Sequence, residues 1–97
     1  MNFNVHNTDK IMRCPFLDKN QKALDIGDEI IGSSNTDEVK GIVTFFDTGR
    51  IEDDYNKWLI TVTHHKVNNE WKECDNYTLH LAYHLNSRST LEFFSKV

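Results

Sequence analysis

A chain of 97 residues has room for one domain with one modest core, and two independent domains are excluded. Hydrophobic residues make up 38% and charged residues 27%, which places it among globular rather than disordered chains. Its formal charge of -4, with single lysines scattered between acids, disfavours direct nucleic-acid binding, which needs clustered Lys and Arg against the phosphates.

No apolar run is long enough for a signal-peptide core or a membrane span, so the expected location is the cytoplasm, with no membrane contact. In that reducing compartment Cys14 and Cys74 are expected as free thiols.

Residues 1–16 read as an arm or edge strand. Pro15, the only proline, holds Cys14 away from helical angles and removes a ladder donor. Residues 18–21 offer side chains that hydrogen-bond their own backbone, a turn signal. Gly27-Asp28 is a second tight turn, and Ile30-Ile31 then open a strand over residues 29–33 that ends near Gly32. A polar loop at 34–38 leads to a strand over 40–47. There Ile42 and Phe46 point to one side and Val43 and Phe45 to the other, so both faces are apolar, as in a central or strongly curved strand.

Residues 47–56 read as a charged loop with Gly49 and the acids Glu52, Asp53 and Asp54. The strand predicted over 57–67 turns Trp58, Ile60 and Val62 inward and Thr61, Thr63 and His65 outward. Asn68-Asn69 then makes a two-residue hairpin turn, since asparagine tolerates the positive φ required. From Tyr77 to Leu85 alternate residues are apolar, which predicts one more strand with Tyr77 buried. Residues 89–97 suit a closing strand, although Ser89 and Glu92 also form a capping box for a short helix.

The run Asp18-Lys19-Asn20-Gln21-Lys22, then Leu24, Gly27-Asp28 and Ile30-Ile31, resembles the opening of YopX-like proteins, small β-rich domains common in bacteriophages and prophages. Their usual pattern is D-K-N-G-K, a hydrophobic spacer, then G-D and two aliphatics; Gln21 stands where that pattern has glycine. The resemblance implies a small barrel of phage origin in a bacterial cell and carries no reaction with it. The expected fold is therefore all-β: an SH3-like antiparallel barrel of five or six strands over 17–97, with residues 1–16 as its arm.

No motif of catalytic or metal-binding specificity is present, and no cofactor is expected. On one strand face His80 and His84 would lie roughly 13 Å apart, too far for one zinc held at about 2 Å by each ligand; a cross-strand pair such as His65 with His80 stays open. Cysteine nucleophiles need an adjacent histidine, which spacing cannot show, and the carboxylate pairs Asp37-Glu38 and Asp53-Asp54 fall in predicted loops. The acids of the first half either solvate turns or present an acidic face that imitates nucleic-acid phosphates. Aromatic residues exceed what so small a core needs, and Phe45, Tyr55 and Trp71, with Asp53 and Asp54, are the candidate partner-binding residues. The function expected is a non-enzymatic module that engages or inhibits a protein of the host. A small metal-dependent domain or enzyme using Cys and His, and a self-assembling structural subunit forming homo-oligomers, are the alternatives.

Overall fold

The structure is a computed structural model, and it describes residues 14–34, 37–46 and 54–97. Five strands form one antiparallel sheet: β1 (Glu29–Ser34), β2 (Asp37–Phe45), β3 (Trp58–Val67), β4 (Glu70–His80) and β5 (Phe94–Lys96), ordered β4-β3-β2-β1-β5. Two short 3-10 turns, Asp54–Lys57 and Leu81–His84, precede β3 and follow β4. The all-β expectation holds, with five strands. The sheet is not closed, because β4 and β5 are its two edges.

Alternation along the strands builds the core, since every second side chain faces the same layer. Ile30, Val39, Val43, Trp58, Ile60 and Val62 are buried on one face of the sheet, and Phe16, Leu24, Leu81, Leu91 and Phe94 pack onto them. Each tight turn has its predicted chemistry. Asn68 and Asn69 adopt φ of 52° and 67°, the two left-handed residues that a short hairpin with native twist requires. Gly27 adopts φ of 93°, and Asp28 closes that turn by accepting the Asp25 amide on its carboxylate at 2.8 Å.

The 18–22 turn is organised by one side chain. Asp18 is fully buried, and its carboxylate accepts the backbone amides of Asn20 and Lys22, both at 2.8 Å, and of Lys96 in β5 at 2.9 Å. Burial alone would raise its pKa; the amides of Lys96, Lys22 and Asn20, with the Lys22 charge, outweigh burial and hold the carboxyl below its ordinary value. Gln21, at the position where the phage-protein pattern has glycine, adopts φ of 66°.

Three local expectations need correction. The loop expected at 34–38 is shorter, because β2 already begins at Asp37, which pairs with Ser34. The strand expected through Leu85 stops at His80, where the chain turns in a 3-10 step that carries Leu81 into the core. Tyr77 is 38% exposed rather than buried: on an edge strand its ring has a neighbour on one side only, and its hydroxyl reaches His65 Nε2 at 2.8 Å.

The ladder also slips twice, which no period-two reading contains. Between Lys40 and Gly41 the pairing to β3 shifts by one residue, and Thr63 is the extra residue, its hydroxyl donating to the Lys40 carbonyl at 3.3 Å. Between Val62 and His64 the pairing to β4 shifts again, leaving residues 74–76 bulged. Gly41 sits at the first slip, where a Cβ would lie 2.3 Å from the Thr61 carbonyl oxygen, so the strands approach more closely than any side chain permits.

Candidate partner-binding surface

The sheet separates the aromatic residues singled out in the sequence. Phe45 continues the buried row of Val39 and Val43 and packs edge-on against Trp58 with ring centroids 4.8 Å apart. Trp71 lies on the other face, with Lys40 Nζ 4.9 Å and Lys66 Nζ 5.5 Å from its ring centroid. Phe45 is in register with Trp58 and Trp71 with Lys66, eight residues farther along β3 or roughly 26 Å. One patch cannot contain both. Asp53 lies outside the described residues; Asp54 and Tyr55 contribute backbone to the first 3-10 turn, and their side chains lie outside the description.

Trp71 is engaged by its own fold, since the Lys40 and Lys66 ammonium groups sit over the indole and Lys66 also approaches Glu38 at 3.8 Å. Among the described residues, two acids of the first half already have partners within the fold. Asp28 braces a turn and holds Lys96 Nζ at 3.2 Å, and Asp18 is interior.

A different end of the molecule presents free aromatic surface. Phe46 follows β2 directly and is 62% exposed, its amide donating to the Lys57 carbonyl at 2.8 Å. Tyr83, on the second 3-10 turn, is 76% exposed and leans on the His80 ring at 5.3 Å. His80 Nδ1 lies 3.1 Å from the Asn56 carbonyl, which makes Nδ1 the donor and ties the end of β4 to the first 3-10 turn. Phe46, His80 and Tyr83 thus stand on elements that are joined to one another. Tyr83 escaped the sequence reading because it kept the alternating register; the signal available was the stretch Leu81-Ala82-Tyr83-His84, which holds no β-branched residue to favour a strand.

Among the described residues the cysteines and histidines do not gather at one place. The Cys14 thiol is pushed up to about 11, chiefly by burial, so only a small fraction of it is thiolate at neutral pH. Cys74 is half-buried against the core. His84 packs edge-on against Phe94 at 5.5 Å, and burial lowers its pKa. His65 is held by Tyr77, and His64 Nδ1 by the Thr63 hydroxyl at 2.8 Å. The strand spacing that separated His80 from His84 does not apply, since a 3-10 turn lies between them and His84 faces the core. Among the described residues no three His, Cys, Asp or Glu side chains gather where they could hold a metal ion.

Two hollows are polar and below the usual range for small-molecule sites, which start near 300 Å³ and are mostly apolar. One of about 280 Å³ lies between the hairpin tips, lined by Asp37, Glu38, Lys66, Asn68 and Asn69. The other, about 170 Å³, lies beside β5 against Lys19, Gly32 and Phe93. Among the described residues no helix is long and apolar enough to cross a membrane. No family model, curated protein or solved structure matches this chain.

Proposed function

We propose that this protein is a non-enzymatic binding module that engages another protein through the end bearing Phe46, His80 and Tyr83. The observation that carries the reading is the exposure of two large aromatic rings, 62% and 76%, on elements braced by a hydrogen bond and a ring contact. Exposed apolar rings on a held framework contribute binding energy with little ordering cost, and aromatic residues dominate the energetics of protein contacts.

The SH3-like barrel belongs to the same proposal. A four-strand meander whose last strand returns beside the first after a 3-10 turn has the strand order of a small barrel left open, and the slip at Gly41 is the bend such curvature uses. The left-handed Gln21 supports the likeness to the phage and prophage proteins, whose pattern has glycine there. On that likeness the partner is a protein of the bacterial cytoplasm, and inhibition of a host enzyme or defence protein is one form the contact takes.

Affinity capture from bacterial lysate with the native chain and with a Phe46→Ala/Tyr83→Ala double variant tests the proposal. Both rings are exposed, so the variant keeps its melting temperature and loses the partner. A folded variant that captures the same partner in the same amount refutes it.

A further inference from the structure

The longest strand of the sheet is an edge. β4 spans eleven residues, and among the described residues nothing pairs with its outer side. Glu70, Lys72, Glu73 and residues 75–78 are exposed, and between them only Trp71 and Cys74 are half-buried. A row of open backbone donors and acceptors is a template for another strand, which exposed edges ordinarily limit with proline, charged side chains, bulges, covering segments or brevity. β4 contains no proline and is not short.

What it has instead is charge. Glu70, Glu73 and Asp75 stand against Lys72, whose Nζ already lies 3.5 Å from Glu70. Glu73 and Asp75 have no ion pair among the described residues, so the edge carries a net charge of -2. A second copy would bring the same excess to the same edge and be repelled by it. A basic strand would find its charge complemented.

We infer that the β4 edge accepts an extended, lysine- or arginine-bearing segment of the partner as a sixth strand. This rests on the reading of the protein as a binding module and names how the partner is held. The bulge at 74–76 divides the edge, and the regular stretch 77–80 supplies the main-chain pairing. That stretch ends at His80, against which Tyr83 leans, so an added strand runs up to the exposed ring. Main-chain bonds along 77–80 give such a contact its affinity, and long basic side chains that reach past the bulge to Glu73 and Asp75 give it its selectivity.

The test uses the full chain and a peptide of about ten residues alternating lysine and threonine, beside the same peptide N-methylated at every second amide. Fluorescence anisotropy reads affinity, and amide hydrogen exchange by NMR reads the site. The expected result is binding that slows exchange at residues 77–80 and weakens at least about tenfold on N-methylation, and likewise in a folded Glu73→Lys/Asp75→Lys variant. Absence of binding at millimolar peptide, equal affinity for the N-methylated peptide, indifference to charge reversal, or protection confined to other strands overturns it. So does edge protection that grows with protein concentration in the absence of peptide, the signature of a second copy. If the Phe46→Ala/Tyr83→Ala variant loses its captured partner while the edge measurements fail, the binding reading stands and strand addition alone falls.

Discussion

Replacing Asp18 by Asn tests how the 18–22 turn is joined to β5. The native carboxylate is fully buried and accepts three backbone amides, at 2.8, 2.8 and 2.9 Å. Asparagine keeps the shape and one acceptor oxygen, but it loses the charge and turns an NH2 toward a donor. If the retained oxygen serves Asn20 and Lys22, the Lys96 amide is left facing another donor. An unmade buried bond costs about 1–3 kcal/mol, and weakening two charge-assisted bonds adds about 1 kcal/mol, so roughly 2–4 kcal/mol is expected. A domain of this size is stable by about 5–15 kcal/mol, so the loss is readily measured by urea denaturation. Its pH dependence separates charge from shape. The folded-state pKa of Asp18 is depressed, so its contribution is complete above the unfolded value near 3.9 and is lost as pH falls through the folded one. The stability gap between native chain and variant therefore narrows from about pH 5 downward. A gap below about 0.5 kcal/mol at pH 7, or one that stays constant from about pH 5 to pH 2, refutes the reasoning.

Other changes probe separate features. Gln21→Gly relieves a non-glycine left-handed residue and is expected to raise stability by about 0.5–1 kcal/mol, seen as a higher urea midpoint at unchanged slope. Gly41→Ala puts a Cβ 2.3 Å from a neighbouring carbonyl oxygen and is expected to cost about 2 kcal/mol or more in the same assay; a neutral result would mean that the strands are not that close. With its thiol at about 11, Cys14 is expected to alkylate at pH 8 roughly a hundredfold more slowly in the native chain than in urea, followed residue by residue by mass spectrometry; equal rates would remove the burial argument.

Local chemistry was legible where one residue type answers one backbone demand. Asn68-Asn69, Gly27-Asp28 and the inward row Trp58, Ile60 and Val62 are of that kind, because turn geometry and alternation act over a few neighbours. What escaped depends on partners distant in the chain. The slips at Gly41 and at residues 74–76 arise from how strands meet, and after them the alternation of one strand no longer tells which way its partner faces. Tyr77 and Tyr83 keep a core-like register yet sit at the sheet edge and on a 3-10 turn. Aromatic abundance was visible; that Phe45 would meet Trp58, that Trp71 would be held by two lysines, and that Phe46 and Tyr83 would be the most exposed of the described rings, ahead of Phe93 and Tyr77, required the fold itself.

The carboxylate of Asp18 reaches an amide 78 positions later, and Leu17 and Lys19 bond to Ser89 and Phe94. Such closure must wait until β5 has left the ribosome, whereas the β3–β4 hairpin, joined by two residues, can zip up early. Until β5 emerges, the nascent chain carries an anionic group that has no amide from that strand to receive, and this part of the sheet closes only as β5 is captured. Any change that delays the docking of β5 acts on that step.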